Sequence, residues 1–361
     1  MTTPDSPAIR AISERLPVAS RIELSEDAAI SNLDTFRAQI AATSRLGVVL
    51  KGNAYGHGLR EMLELVHDRV DLLYVITPDD ALTVRQWELS NSRVHRDTVV
   101  LGAIAAHEYV ELAHAKVQVV IAGPVDREAV ETILASKNRL QVHIHLDTGL
   151  GREGFTPQQL RSGEADFLLH HRDVFECIGV MTHFSNTEDV TEQSYAVEQL
   201  RVFHEGVGEL RRRLIVGDVV ERHTAASAGA LVLPPSRLSA VRIGIGLYGL
   251  WPSSETRLSA RVLGDTLPVL RPVLSWKVPS QIVKTLPAGS YVGYGCTYRC
   301  AVDTRIAVLP VGYFDGYPRL ASGKAHVLVR GQRAPVLGRV MMNHLIVDVS
   351  NVTTGDGPIH A

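Results

Sequence analysis

LGVVLKGNAYGHGLREMLELVHDRVDLLYVIT, residues 46–77, reads as one strand–helix–strand unit. LGVVL and LLYVIT are short β-branched apolar runs, and LREMLELVHDRV between them has the spacing of an amphipathic helix. The same rhythm continues downstream. TVVLGAI, VQVVIAG, LQVHIHL, ECIGVMTHF, VVERHTA and AVRIGIGLYG are further apolar runs, separated by helix-like segments such as PDDALTVRQWELS, DREAVETILASK and TEQSYAVEQLRVFHEGVGELRRRL. Eight alternations in about two hundred residues favour an α/β fold of the (β/α)8 barrel type over a doubly wound sheet.

After Gly249 the texture changes. WPSSETRL reads as a connection, and PVLSWKVPSQIVKTLPAGSYVGYG and RIAVLPVGY alternate apolar and polar residues with Pro and Gly punctuation. That pattern predicts a second, mostly antiparallel β-domain over 256–361, after a barrel domain over 19–255 and an N-terminal extension over 1–18. SRIELS (20–25) is strand-like and precedes the barrel, so it can pair with the second domain. Trp276 is read as packing in that domain, and Arg211–Arg213 as cations closing a long helix, where they favour the macrodipole.

The 361 residues carry a net charge of −2 and are 45% hydrophobic, which is ordinary for a globular chain and points to neither nucleic acid nor an anionic membrane. No apolar stretch is long enough to span a bilayer, and the first residues lack the apolar segment of a secretion signal. Cys177, Cys296 and Cys300 make no disulfide framework, and Cys296 and Cys300 lack the partners of a zinc site. A reducing, cytoplasmic location is the expectation.

In such a barrel the active site is built at the C-terminal ends of the strands. Lys51, Arg152, His183, Ser227 and Arg242 all fall there; any one alone would be background, but five converge. An amine desolvated in a mostly apolar pocket suits imine formation with an aldehyde. The turns TAASAG and GIGLYG offer backbone N–H groups, and Ser227 near a helix start suits a phosphate. An aldehyde and a phosphate at one barrel mouth outline pyridoxal phosphate (PLP). His143 is read as interior packing or rim.

VVLKGNAYGHG (48–58) also resembles the cofactor-lysine signature of the alanine racemases, PLP enzymes of the barrel class, apart from Gly52 where alanine is usual. The resemblance runs in order through HLDTGLGREGF, GVMTHFSNTED, HTAASAG, VRIGIGLYGL, VPSQIVKTLPAGSYVGYGCTY, LPVGYFDGY and APVLGRVMMN, from about residue 19 to 350. It implies that Lys51 holds PLP as an imine and acts as base on one face of the substrate Cα. Tyr294 would be the base on the other face, contributed by the β-domain of a second subunit in a homodimer. Arg242 would bond the pyridine nitrogen; Tyr55, Ser227, Gly244 and Ile245 would hold the phosphate; and Arg152 with the backbone at Met342 would receive the carboxylate of a small amino-acid substrate. His183 would link Tyr294 to Arg242, and Tyr313 would line the substrate entrance. The implied activity is two-base interconversion of L- and D-alanine, supplying D-alanine for peptidoglycan.

These residue types suit racemisation, because two opposed bases avoid turning the intermediate over. Tyrosine ordinarily titrates near pH 10, so a tyrosine base needs nearby positive charge, for which Arg152 and the His183–Arg242 pair are the candidates. A guanidinium has no acceptor and keeps its protons, so at the ring nitrogen it weakens the electron sink and favours fast reprotonation over decarboxylation.

Several positions depart from the family pattern. His145 stands where many members have a carbamylated lysine that holds the carboxylate-binding arginine, so Arg152 needs another orienting group. Ala226 replaces a common asparagine and Asn343 a common aspartate. After IVDVSNVTTGDG the family continues for some tens of residues, including a phosphate-binding tyrosine, whereas here PIHA closes the sequence; a missing strand would leave an unpaired sheet edge. Two alternatives stay open: a broader racemase acting on serine or basic amino acids, and a PLP-binding protein with little turnover, against which Tyr294 argues. A fold-related decarboxylase is disfavoured by Arg242.

Overall fold

The computed structural model describes residues 20–188, 191–264, 267–280 and 282–353. The N-terminal extension and the chain's last eight residues lie outside these. The described residues form two units, one spanning Ser25–Val273 and the other joining 20–24 to 274–353. No described helix is long and apolar enough to cross a membrane.

The larger unit is an eight-stranded parallel barrel. Its strands are β2 (Arg45–Val49), β3 (Leu72–Val75), β4 (Asp97–Val100), β5 (Gln118–Ile121), β6 (Leu140–His145), β7 (Phe175–Met181), β8 (Glu221–His223) and β9 (Ala240–Ile243). They pair in chain order from β2 to β8, and β9 returns beside β2. An Ala226–Arg242 bridge closes the ring between β8 and β9. The eight apolar runs of the sequence are these eight strands: β3 and β5 are buried along their whole length, so they read as continuous hydrophobic runs.

The helices follow: α1 (Glu26–Arg37), α2 (Leu59–Val66), α3 (Pro78–Ser90), α4 (Glu108–His114), α5 (Arg127–Ser136), α6 (Pro157–Ser162), α7 (Phe167–His170), α8 (Ser194–Arg212), α9 (Ser227–Val232) and α10 (Ser254–Leu263). Ser25 caps α1 and Thr77 caps α3, each hydroxyl accepting a backbone N–H of the first turn. At the N-terminal end of the barrel, Arg45 on β2 pairs with Glu221 on β8 and Asp97 on β4.

WPSSETRL is not a simple connection. Ser253 accepts the Thr256 N–H at 2.9 Å and starts α10, which packs on α9. Buried Asn32 then donates to the Leu247 and Arg271 carbonyls and accepts the Arg271 N–H. Those bonds keep the chain with the barrel as far as Val273, rather than releasing it near residue 256.

In the smaller unit, β1 (Arg21–Leu24) pairs antiparallel with β10 (Leu274–Lys277). A five-stranded antiparallel sheet has the order β11 (Ile282–Leu286), β14 (Thr304–Leu309), β17 (Leu345–Asp348), β16 (Gln332–Leu337) and β15 (His326–Val329). A short hairpin joins β12 (Tyr291–Val292) to β13 (Tyr298–Arg299). Ala307, Leu309, Val336, Leu345 and Val347 centre the core of this sheet. Trp276 is exposed on β10 rather than packed in the sheet core, and its indole N–H donates to Ser20 at 2.6 Å.

Candidate active site at the barrel mouth

Lys51 leaves β2 where the chain makes a turn that periodicity does not foretell. Gly52, Asn53, Ala54 and Tyr55 all have positive φ, between 52° and 62°, so they form one left-handed turn. Each non-glycine residue there costs roughly 1–2 kcal/mol, and such strain gathers at functional positions. Asn53 stabilises the turn by accepting the Leu59 N–H at 2.8 Å. The residues that tolerate φ > 0, in GNAYGHG, were the only sequence signal of it. The turn lays the Tyr55 ring 4.8 Å from that of Tyr248, whose hydroxyl donates to the Val49 carbonyl. Lys51 itself is exposed at the mouth.

The mouth encloses a cavity of about 370 Å³ that brings together Lys51, Tyr55, Arg152, His183, Ser227, Arg242, Gly244 and Ile245. Ser227 Oγ accepts the backbone N–H groups of Gly244 and Gly246 at 3.0 and 3.2 Å. With those acceptances made, its own O–H is directed to donation. Gly244 lets the Tyr55 hydroxyl come close, since a Cβ there would stand 2.6 Å from it and the tyrosine would have to shift. Two hydroxyls and a bare backbone thus crowd one side of the cavity, with the amine of Lys51 opening into the same space. This donor set fits a phosphate-bearing aldehyde such as PLP.

Arg242 is buried beneath the cavity. Nη1 donates to the His223 carbonyl and to His223 Nδ1, while Nη2 donates to the Thr182 carbonyl at 2.8 Å and reaches His183 Nδ1 at 3.3 Å. Burial pushes its guanidinium down to about 10, so it is still a cation at neutral pH. His183 is different: burial and the nearby Arg242 and Arg152 push it down to about 3. It is a neutral acceptor, so in the His183–Arg242 pair only the arginine carries positive charge.

His145 is buried at the end of β6 and pushed down to about 4, first by burial and then by Arg242. Being neutral, it does not replace a carbamate. Arg152 is half-exposed and instead pairs with Glu153, Nε to Oε2 at 2.7 Å. So exposed a pair contributes little stability.

Three interior histidines, His143 with His145 and His183, are thus neutral in the fold at about 3 to 4. Free histidine titrates near 6.5. Between those values the unfolded chain binds more protons, so stability is full above about pH 6.5 and falls as pH drops toward 4, by up to about 1.4 kcal/mol per pH unit for each group. Urea denaturation midpoints at pH 7.5, 6, 5 and 4.5 should decline progressively; a flat profile would contradict the buried neutral assignment.

His143 Nδ1, His223 Nε2 and the Glu221 carboxylate lie within 4.8 Å of one another, the spacing of a cation site among the described residues. The two nitrogens are hydrogen-bonded to each other at 2.9 Å, and Glu221 is paired with Arg45. One Glu221 oxygen, Oε1, stays buried without a hydrogen-bond partner.

Tyr294, Tyr313 and Met342 belong to the smaller unit. Tyr294 is 72% exposed on a tight turn after β12, between Gly293 and Gly295, both at positive φ. Tyr313 and Met342 are brought together: the Tyr313 N–H donates to the Met341 carbonyl and the Phe314 N–H to the Met342 carbonyl, each at 3.0 Å. Gly312 permits that approach, since a Cβ would stand 2.1 Å from the Met341 oxygen.

Comparison with known proteins agrees with this architecture. Residues 24–252 match the alanine racemase N-terminal domain and residues 273–358 the alanine racemase C-terminal domain. An alanine racemase of Leptospira interrogans is 33% identical over 338 residues, covering 92% of this chain and 83% of the relative. An alanine racemase structure from Clostridium difficile superposes with a TM-score of 0.82 at 23% identity, covering 96% of this chain and 86% of that one. The Bartonella henselae alanine racemase, solved with covalently bound pyridoxal phosphate, superposes with a TM-score of 0.76 at 21% identity, covering 96% and 90%.

Proposed function

The chain belongs to the alanine racemase family, and from that membership we propose that it interconverts L- and D-alanine with PLP, using Lys51 and Tyr294 as bases on opposite faces of the substrate Cα. The observation that carries the reading is the gathering of Lys51, Ser227, Gly244 and Arg242 around one cavity at the barrel mouth.

PLP, when bound, supplies the electron sink that makes the Cα–H acidic. Lys51 would hold its aldehyde carbon, and Tyr55, Ser227, Gly244 and Ile245 its phosphate. Arg242 would face the ring nitrogen. Its orientation is fixed by the Thr182 and His223 carbonyls and His183. Arg152 and the Met342 backbone would receive the substrate carboxylate, with Tyr313 at the entrance. The Lys51 amine then moves a proton at one face of Cα and the Tyr294 hydroxyl at the other. Tyr294 would come from the β-unit of a second subunit, making the working form a homodimer, with His183 completing the connection to it. This activity would supply D-alanine for peptidoglycan, in a cytoplasmic location.

A broader substrate range is the second reading. It is favoured by the exposed Arg152–Glu153 pair, which holds the carboxylate-binding group less firmly than a buried anion would. Relative rates on alanine, serine and lysine separate the two. The primary test is PLP-loaded protein with L-alanine in D₂O, following Cα deuterium and optical activity together. Deuterium incorporation with loss of optical activity is expected. Exchange with retained configuration would show that only one base works. Absence of exchange on alanine would overturn the assignment.

A further inference from the structure

Arg242 is the head of a buried hydrogen-bond chain that runs across the barrel interior. Arg242 Nη1 meets His223 Nδ1 at 3.1 Å, His223 Nε2 meets His143 Nδ1 at 2.9 Å, and His143 Nε2 meets Gln118 Oε1 at 2.9 Å. Four strands supply these residues: β9, β8, β6 and β5. His223 is fully buried, and His143 and Gln118 nearly so.

The chain has only one direction. Guanidinium N–H groups donate and never accept, so the Arg242 bond is kept only while His223 Nδ1 is a bare acceptor. The neutral ring then carries its proton on Nε2 and gives it to His143 Nδ1. His143 in turn must be protonated on Nε2, and donates to Gln118, whose amide is set with its oxygen inward. A proton added to either histidine would place two N–H groups nose to nose, at His143 Nδ1 or at Arg242. The fold makes room for the arrangement: at Gly179 on β7 a Cβ would fall 1.9 Å from His143 Nδ1.

We propose that Gln118 and His143 are positioning residues for Arg242: they fix His223 as the Nε2–H tautomer, so that its Nδ1 always presents a lone pair to the guanidinium. This rests on the reading of Arg242 as the partner of the cofactor ring. Without His143, His223 can carry its proton on Nδ1 instead, where it faces an Arg242 N–H and displaces the guanidinium. A shift of about 1 Å in such a group can cost on the order of 100-fold in rate.

The test uses the full chain labelled with ¹⁵N-histidine, as apoprotein and after PLP loading. Long-range ¹H–¹⁵N spectra read the tautomer, and the His223 signal is identified by its loss in His223→Gln. Wild type should show the Nε2–H pattern in both forms. His143→Leu should lose that pattern and lower kcat at least about tenfold with little change in KM, on the positioning argument above. His143→Gln can both accept and donate, and should restore the pattern and most of the rate. Gln118→Leu breaks the last link and should affect the His143 signal first; it serves if His143→Leu fails to fold. An unchanged His223 pattern in His143→Leu, or in Gln118→Leu unchanged signals at both histidines, overturns the proposal. A lost pattern with unaltered racemisation leaves the chain in place and overturns the assignment of Arg242.

Discussion

Lys51→Ala is expected to abolish racemisation, by about 10⁴-fold or more, the upper range for losing a positioned acid–base group, because one side chain is proposed to have two duties. It anchors the cofactor and moves a proton at Cα. The barrel makes the case for the position. Lys51 stands at the C-terminal end of β2 and lines the cavity with Ser227, Gly244 and Arg242. The substitution should leave the fold intact, since Lys51 is exposed and no hydrogen bond of the strained turn uses its side chain: that turn is held by Asn53 and by backbone bonds such as Ala54 N–H to the Leu50 carbonyl. Borohydride reduction followed by peptide mass analysis checks the anchor separately from activity. The wild-type peptide bearing Lys51 should gain a phosphopyridoxyl group, and the variant should gain none. Partial return of racemisation with an added primary amine would support loss of the amine rather than collapse of the site. Racemisation within tenfold of wild type in Lys51→Ala would exclude the assignment.

Much of this architecture is legible in the sequence, and the reason is physical. A barrel strand flanked by helices and packed on its neighbours is apolar on both faces, so LLYVIT and VQVVIAG announce β3 and β5 without help from tertiary structure. Strand ends were equally readable, and with them the positions of Lys51, His183 and Arg242. What escaped was geometry set by partners distant in sequence. His143 looks like core filling until β5 and β8 deliver Gln118 and His223, 25 and 80 residues away. The end of the barrel unit at Val273 depends on Asn32, more than two hundred residues from Arg271. The neutral state of His183 comes from burial beside two arginines, and neither appears in MTHF itself. The left-handed turn was hidden for another reason: helix and strand periodicities describe αR and β backbones, and a run of αL residues has neither signature.

Tyr294→Phe should separate the two faces of the reaction, which the lysine variant cannot do. The phenyl ring keeps the bulk of the side chain on its turn between Gly293 and Gly295 and removes only the hydroxyl. Tyr294 is 72% exposed in the described chain, so folding stability should change little. Racemisation should fall by roughly 10²–10⁴-fold, the usual contribution of one acid–base group and about 2.7–5.4 kcal/mol of barrier. The diagnostic result is asymmetry. In D₂O, with Lys51 still present, one alanine enantiomer should continue to exchange its Cα proton and keep its configuration, while the other exchanges far more slowly. Equal slowing of exchange from both enantiomers would mean that Tyr294 shapes the site and does not move the proton. The homodimer adds a further arm, because the reading takes this tyrosine from the neighbouring subunit. Mixing inactive Lys51→Ala and Tyr294→Phe chains should generate dimers in which one mouth pairs an intact lysine with an intact tyrosine. Activity should therefore rise from near zero toward a quarter of wild type in an equal mixture that exchanges subunits randomly. If each chain instead supplied both bases to its own site, the mixture would stay as inactive as its parents.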